Sequence, residues 1–291
     1  MHKLSVLIPS RNERFLAKTI DDLFAKAVEE IEVIVTLDGY EPFPQLIERP
    51  GLILIRLDAA RGMRNAINLA AGIATGKFLM KIDAHCMVGE GFDKILKSDC
   101  DDNWMVIPRR CSLDPENWVI ARTGKAPVDY HYLCYPYRPD KDVGLHGEVW
   151  KTRAVERAHI MIDDEMSSQG SCWFMTKDHF VNRIGTMDEA GYGKFVQEAQ
   201  ELGLKTWLGG GRMVINKNTW YAHLHKGKTY GRGYFIDKRE MKRGAHFSAD
   251  YWLNNRWSNR VRDFEWLIDH FMPVPTWPAN WRELGATKSI S

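Results

Sequence analysis

The chain has 291 residues, of which 44% are hydrophobic and 27% are charged. These fractions are those of an ordinary soluble protein, built as one large domain or as one domain with an appendage. Forty basic and 38 acidic side chains leave a formal net charge of +2. The overall charge therefore indicates no particular class of partner.

The cysteine content and the hydropathy pattern indicate where the protein works. Five cysteines occur without a Cys-x-x-Cys pair, and we interpret them as reduced thiols. An apolar strand begins at Leu4, and no signal peptide or bilayer-spanning apolar run is found. We therefore expect a cytoplasmic protein that does not bind a membrane.

The first hundred residues alternate between short apolar runs and amphipathic segments. The pattern predicts strands over 4–9, 31–37, 52–57 and 78–82, and helices over 15–28 and 62–74. Ser10 and Glu13 form a candidate capping box for the first helix. The alternation predicts an α/β fold with a mostly parallel, doubly wound sheet and helices on both faces.

The second half of the chain is less regular. The pattern predicts strands over 105–108, 171–176, 206–208 and 213–215 and a helix over 194–202. Residues 109–165 lose periodicity and are rich in Tyr, Pro and Asp, which is typical of a lid or a binding surface. From about Lys226 the chain is basic and aromatic, and 273–281 reads as an irregular strap lying on the domain.

Asp83 and His85 directly follow the predicted strand over 78–82. Side chains two residues apart in extended backbone point the same way, so these two can converge on one point. A carboxylate with a neutral imidazole suits Mn²⁺, Mg²⁺ or Zn²⁺. A solvated turn is the plain alternative, and spacing alone explains His223 and His225 equally well as a buried histidine pair.

Polar residues also follow the first two strands, in Pro9-Ser-Arg-Asn-Glu13 and Asp38-Gly39. With the Asp-x-His motif, these segments resemble the nucleotide-sugar half of GT-A glycosyltransferases of the family-2 type. The resemblance implies uridine contacts from the first two segments, a diphosphate near a glycine-led helix start, and a metal at Asp-x-His. The matching residues are Pro9, Asn12, Glu13, Asp38, Gly62, Asn65, Asp83 and His85. Arg11, Arg64 and Lys81, in the same segments, are assigned to the nucleotide-sugar site as well.

Residues 198–210 closely resemble the polypeptide N-acetylgalactosaminyltransferase pattern Glu-Asn-x-Glu-x-Ser-x-Arg-x-Trp-x-x-Gly-Gly. The resemblance implies that Glu198, with Glu201 as second candidate, is the catalytic carboxylate that contacts the donor sugar or the acceptor hydroxyl. It also makes His223 the third metal ligand. Gly170 and Ser171 would let the sugar approach the backbone, and Lys226 and Tyr230 would belong to a loop closing over the diphosphate. The plain alternatives are a solvated helix face for the two glutamates and strand packing at Gly170.

The resemblance predicts a GT-A fold and a metal-dependent glycosyltransferase that moves a sugar from a UDP-sugar to a hydroxyl acceptor, with retention of anomeric configuration and Mn²⁺ or Mg²⁺ as cofactor. The acceptor would be a glycan, a protein or a modified DNA base. The family's Trp-Gly-Gly is replaced here by Phe195-Val-Gln197, so the sugar pocket is expected to differ.

We divide the chain into a catalytic domain over 1–225 and a basic, Trp-rich, helical or irregular extension over 226–291. The catalytic domain comprises a nucleotide-sugar half (1–108), an acceptor-side insertion (109–166) and an acceptor half (167–225). The extension either packs its aromatics on the domain or binds nucleic acid through cations and stacking. Two alternative functions therefore stay open: a phage-type transferase acting on a hydroxymethylated pyrimidine of DNA, and a non-catalytic module that binds sugar nucleotides or nucleic acid.

Overall fold

The computed structural model describes residues 3–122, 124–137 and 144–285. Its strands are β1 Leu4–Ser10, β2 Ile31–Asp38, β3 Leu52–Leu57, β4 Phe78–Ile82, β5 Cys86–Val88, β6 Trp104–Asp114, β7 Val119–Ile120, β8 His131–Leu133, β9 Gly147–Val149, β10 Ile162–Asp164, β11 Cys172–Thr176 and β12 Arg212–His223. Its helices are α1 Leu16–Lys26, α2 Met63–Ile73, α3 Phe92–Ser98, α4 Lys151–Glu156, α5 Glu198–Leu208, α6 Gly227–Tyr230, α7 Lys238–Leu253, α8 Phe264–Phe271 and α9 Trp281–Gly285, with a π-helical turn at His179–Arg183.

Ten of the strands in the described ranges form one mixed sheet, and eight of them follow the order β10-β12-β6-β11-β4-β1-β2-β3. The other two join it at the side, where β5 pairs with β12 and β7 pairs with β6. The pairs β4–β1, β1–β2, β2–β3 and β6–β12 are parallel. β11 runs antiparallel to both of its neighbours, β4 and β6. The predicted α/β fold, with a largely parallel sheet in its first half, is confirmed.

Both faces of the sheet are covered because its central strands are apolar on both sides. Along β1, Val6 and Ile8 lie in one hydrophobic cluster while Leu7 lies in the other. The same alternation holds on β2, where Val33 and Ile34 belong to opposite clusters. Alternate side chains of a strand point to opposite faces, so each strand contributes to two cores.

The carboxyl-terminal segment belongs to the larger of these cores. Trp252, Trp257, Phe264, Trp277 and Trp281 are all buried in the cluster that also holds residues of α2, α5 and β11. The predicted strap over 273–281 contributes the last two of these aromatics. The aromatic side chains of this segment therefore pack on the domain.

Three local predictions were wrong. Ser10 and Glu13 do not cap α1, whose first turn has no side-chain cap. The predicted helix over 194–202 begins at Glu198, and the predicted strand over 206–208 is its last turn. The segment over 109–165 is partly regular, since β6 extends to Asp114 and five short elements follow among its described residues.

None of the helices in the described ranges has the length and the apolar character that a bilayer span requires.

Candidate active site

A cavity of about 1160 Å³ opens at the edge of the sheet where β1, β2 and β4 end. These three strands are adjacent and parallel, so their carboxyl ends share one edge, the usual ligand-binding position in open α/β sheets. β12 brings a fourth strand end to this place. It is paired with β5 such that His223 lies opposite Cys86, next to His85 in the chain.

Asp83, His85 and His223 converge at the floor of this cavity. One potential ligand atom from each lies within 4.8 Å of the others. The two imidazoles face each other with 3.1 Å between their Nε2 atoms, and Asp83 Oδ2 lies 3.3 Å from His223 Nε2 and 3.9 Å from His85 Nε2. The three residues therefore present one carboxylate oxygen and two ring nitrogens to a common point.

The protonation states of these groups suit a divalent cation. Burial lowers the pKa of His223 to about 4, although the neighbouring Asp83 carboxylate works in the opposite direction. Burial opposes ionisation of Asp83, but the Lys81 ammonium and a hydrogen bond from His223 hold its pKa well below the usual range. At neutral pH the site thus offers an uncharged imidazole and a carboxylate, the forms that bind metal.

Glu13 and Lys226 support this cluster from the other side. Glu13 Oε2 lies 3.3 Å from His85 Nδ1, and Glu13 Oε1 accepts a 2.5 Å hydrogen bond from Lys226 Nζ. A carboxylate behind a ligating histidine fixes the orientation of the ring and increases its basicity. Glu13 is thus placed behind a candidate ligand, in a role that the predicted uridine contact did not include.

A second polar cluster joins Lys81, Asp83 and Glu198. Lys81 is 1% exposed, and its ammonium donates to Asp83 Oδ1 at 2.7 Å, to Glu198 Oε2 at 3.2 Å and to the Gly170 carbonyl. Glu198 Oε1 accepts from the Trp173 indole at 2.9 Å. Burial raises the pKa of Glu198 against the opposing charge of Lys81. The lysine thereby connects the candidate metal ligands to the candidate catalytic carboxylate.

Gly170 is required by this packing. A Cβ placed on it would lie 2.7 Å from Glu198 Oε2, closer than a side chain tolerates. The missing side chain leaves backbone exposed beside the two carboxylates.

Asp38 and Gly62 form the opposite wall of the cavity. The Asp38 carboxylate accepts backbone hydrogen bonds from Arg61 at 2.6 Å and from Gly62 at 3.0 Å. Gly62 has φ +98°, and a Cβ there would lie 2.6 Å from Lys194 Cβ. Only glycine fits this turn without strain, which explains why α2 begins with it.

The structure brings most of the predicted site residues to the cavity wall. They are Pro9, Arg11, Glu13, Asp38, Gly62, Lys81, Asp83, His85, Gly170, Ser171, Glu198, His223 and Lys226.

Glu201 and Arg64, two of the predicted site residues, do not line the cavity. Glu201 is fully buried, forms ion pairs with Arg64 and Lys205, and accepts from the Asp188 N–H at 2.8 Å. Arg64 is also buried and donates to the Val196 carbonyl at 2.5 Å. Both side chains are buried between α2 and α5 instead of lining the cavity, and their roles at the substrate site stay predictions.

Three other predicted residues do not line the cavity. Asn12 donates to the Gly233 carbonyl at 2.7 Å, Asn65 lies 3.2 Å from Glu189 Oε2, and the Tyr230 hydroxyl donates to Glu116 Oε1 at 3.2 Å. Their side chains hold loops together around the site instead of facing it.

Sequence reasoning missed several residues that do line the cavity, namely Arg110, His131, Gln169, Gln197, His225 and Tyr234. Arg110 and His131 belong to the segment over 109–165, whose lack of periodicity gave no indication of which side chains point inward. The one available signal was that a polar, aperiodic insertion of this length usually lines a binding site.

Comparison with known proteins defines the class of the protein. The profile of glycosyl transferase family 2 matches residues 5–157, which is just over half of the chain, and the chain belongs to this family. The structure is similar to "Crystal structure of GalNAc-T7 with UDP, GalNAc and Mn2+", with a TM-score of 0.69 and 14% identity over 93% of this chain and 56% of that one. It is also similar to S. aureus TarS 1–349 in complex with UDP-GlcNAc, with a TM-score of 0.56 and 14% identity over 88% of this chain and 68% of that one. The predicted GT-A fold is thereby confirmed.

Curated relatives show the same relationship at the sequence level. "Probable N-acetylgalactosaminyltransferase 7" of Caenorhabditis elegans is 22% identical over 253 residues, which is 81% of this chain and 41% of that protein. A polypeptide N-acetylgalactosaminyltransferase 9 sequence of Drosophila melanogaster is 24% identical over 77% of this chain and 36% of that protein. The chain thus spans about two fifths of the length of the curated relatives it matches.

Proposed function

We propose that the protein is a metal-dependent glycosyltransferase that moves a sugar from a UDP-sugar to a hydroxyl acceptor. The observation that carries this proposal is the convergence of Asp83, His85 and His223 at the edge of the sheet where β1, β2 and β4 end. Asp83 and His85 lie in the turn between β4 and β5, and His223 ends β12 more than a hundred positions later. A cavity large enough for a nucleotide sugar and an acceptor opens directly above them.

The proposed cation site fits Mn²⁺ or Mg²⁺, and we favour Mn²⁺ because two of the three ligands are nitrogens. A cation held there would stabilise the charge that grows on the departing diphosphate. Asp38 and Gly62 would bind the nucleoside end. Lys226, which now contacts Glu13, would turn its ammonium toward the phosphates.

Glu198 is the proposed carboxylate at the reacting sugar. It lies beside Gly170, where no side chain covers the backbone. Lys81 and Trp173 each donate a hydrogen bond to one of its two carboxylate oxygens. A fixed carboxylate stabilises the positive charge that develops on the anomeric carbon. Retention of anomeric configuration is proposed by similarity to the polypeptide N-acetylgalactosaminyltransferases alone.

The two alternative functions receive less support. Trp252 and Trp257, two of the aromatics of the basic extension, are buried in the core, whereas Phe235 of the same extension is exposed. The cations Arg239 and Arg243 do remain exposed on α7, yet no observation favours a DNA acceptor over another hydroxyl. A non-catalytic module has no use for the glutamate held at the cavity floor. The cytoplasmic location stays a prediction, to which the five free cysteines are suited.

Donor hydrolysis tests the proposal. We expect release of UDP from UDP-GalNAc or UDP-GlcNAc to require Mn²⁺ and to fall by about 100-fold or more in Asp83→Ala and in His223→Ala. Asp101→Ala and His159→Ala remove the same types of side chain from exposed positions and should leave the rate unchanged. Metal-dependent hydrolysis that survives both site changes would refute the metal-centred function.

A further inference from the structure

Arg110 is a cation of the cavity wall that belongs neither to the candidate metal ligands nor to the polar cluster around Lys81. It lies in the extended part of β6, beside Tyr221 of β12. Only 8% of its surface is exposed, and it lines the cavity. A guanidinium so far removed from water needs a partner of opposite charge or a complete set of hydrogen bonds.

The described part of the chain supplies neither. No carboxylate of these residues lies within 4.0 Å of the Arg110 guanidinium, and its Nε–H is buried without an acceptor. Arg64 has an equally unpaired Nε–H, but its guanidinium pairs directly with Glu201. Lys81 likewise pairs directly with Asp83 and Glu198. Glu165, which contacts the far side of His131, acts on this charge only across the imidazole. Arg110 therefore carries a positive charge that no carboxylate of the described residues contacts directly.

The contacts that Arg110 does make are to neutral acceptors. Its Nη1 donates to Gln169 Oε1 at 2.7 Å and to His225 Nε2 at 3.0 Å, and Nη2 lies 3.5 Å from His131 Nε2. A guanidinium has no lone pair to offer, so His225 Nε2 must be unprotonated here. These groups fix the orientation of the guanidinium without cancelling its charge.

The sheet order places Arg110 on the acceptor side of the metal cluster. Asp38 ends β2, which is two strands from β4 across β1, whereas Arg110 belongs to β6, two strands from β4 across β11. Neighbouring strands lie about 4.8 Å apart, so Asp38 and Arg110 flank the β4 end by about 10 Å on opposite sides. A donor whose nucleoside lies near Asp38 and whose phosphates lie at the cluster would leave Arg110 free for the second substrate.

We propose that Arg110, oriented by Gln169 and His225, forms a subsite for an acidic group of the acceptor, a carboxylate or a phosphate near the hydroxyl that receives the sugar. The inference rests on the proposed function and adds the chemical class of acceptor to it. A planar guanidinium suits both anions because each presents two oxygens at matching spacing.

Arginine side-chain NMR of the UDP–Mg²⁺ complex tests the subsite, with inorganic phosphate and acetate as probes. Arg110→Lys identifies the Arg110 Nε–H resonance by its loss. We expect either anion to shift this resonance in a saturable manner while UDP and Mg²⁺ occupy the donor site. A resonance that does not move with either anion would overturn the subsite.

UDP affinity, measured by calorimetry with Mg²⁺, distinguishes an acceptor anion from the donor diphosphate. Arg110→Gln and the control Lys94→Gln, an exposed lysine of α3, should both bind UDP within about twofold of the wild type. A tenfold or greater loss of UDP affinity in Arg110→Gln alone would assign Arg110 to the diphosphate and overturn the subsite. Failure of the wild type to bind UDP would instead refute the proposed function.

Discussion

Lys81 shows how one buried side chain can organise a polar site. It directs all three ammonium hydrogens to oxygen atoms, two of which belong to Asp83 and Glu198. Two carboxylates brought this close would repel each other, and the lysine lies between them. A contact of Lys81 with the nucleotide sugar, as predicted, would require this ammonium to abandon one of its present partners.

Replacing Lys81 by Met should destabilise the fold by about 3–5 kcal/mol, because two buried carboxylates lose their counter-charge. The double change Lys81→Met with Glu198→Gln should recover part of this loss, since one of the carboxylates is then gone. Urea denaturation of both variants measures the difference. Equal stability of Lys81→Met and wild type would show that the lysine does not hold the cluster together.

His179 makes stability depend on pH. Burial, together with Arg183, lowers its pKa to about 4, while the unfolded chain titrates near its ordinary value of 6.5. The folded state therefore binds fewer protons, so the stabilising contribution is complete above pH 6.5 and is lost as the pH falls toward 4. We expect the free energy of unfolding to decrease by about 1.4 kcal/mol per pH unit in this window from His179 alone.

The change His179→Gln keeps a donor for Thr206, which now lies 3.0 Å from His179 Nε2, and removes the titration. Between pH 6.5 and 4, the free energy of unfolding of this variant should fall less steeply than that of the wild type. The difference in slope should be about 1.4 kcal/mol per pH unit. The control His159→Gln alters an exposed histidine and should keep the wild-type slope. Identical slopes in all three proteins would contradict the assignment to His179.

At the scale of the elements, α2 and α5 are joined by the buried pair Arg64–Glu201. Arg64 begins its helix beside Gly62, and Glu201 lies one turn into α5, three residues after Glu198. The pair therefore fixes the helix that carries the candidate catalytic carboxylate. Glu201 does not line the cavity, and we propose that it positions α5 through its pair with Arg64.

The change Glu201→Gln leaves Arg64 buried without a counter-charge and should cost about 3–5 kcal/mol of stability. Removing both charges, as in Arg64→Met with Glu201→Leu, should cost less. Donor hydrolysis per folded molecule should stay within about threefold of wild type in Glu201→Gln, in contrast to Glu198→Gln, which should lose about 100-fold. A comparable catalytic loss in both single variants would restore Glu201 as a substrate contact.

Helices and strands whose apolar residues recur at regular spacing were predictable from sequence. Elements whose ends depend on tertiary contacts were not. β2 and β4 are mostly apolar runs, and the inward face of α2 was visible in its alanines. Thr206 and Trp207 favour a strand locally, yet α5 continues through them because Trp207 fills the core and Gly209 ends the helix.

The candidate site divides in the same way. Asp83 and His85 could be inferred from a strand end, since neighbouring residues carry the signal. Arg110 and Gln169 could not, because their approach depends on β11 entering the sheet between β4 and β6. His223 was reached only through resemblance to a family, as no local pattern links it to β4.

At the scale of the whole molecule, the segment after α7 supplies core side chains instead of forming a separate body. Trp257, Phe264, Phe271, Trp277 and Trp281 pack in the cluster that also contains Trp207 of α5. The predicted boundary at 225/226 marks a change in composition. Truncation can test whether it is also a boundary between independently folding units.

Removal of residues 256–291 should abolish cooperative folding. Burial of each large apolar side chain contributes about 1.5–3 kcal/mol, so the loss of these five aromatics alone would remove about 8–15 kcal/mol, comparable to the whole stability of a domain. Thermal unfolding followed by circular dichroism measures this. A truncated protein that unfolds cooperatively near the wild-type temperature would show that the fold does not depend on residues 256–291.

The reversed direction of β11 has a consequence for how such an enzyme can diverge. The long segment between β6 and β11 leaves the cavity edge of the sheet and returns to it at Gly170 and Ser171, directly before β11. Insertions or substitutions within this segment would reshape one wall of the cavity while β1, β2 and β4 keep their register. Evolution could in this way exchange the molecule that receives the sugar while conserving the apparatus that delivers it.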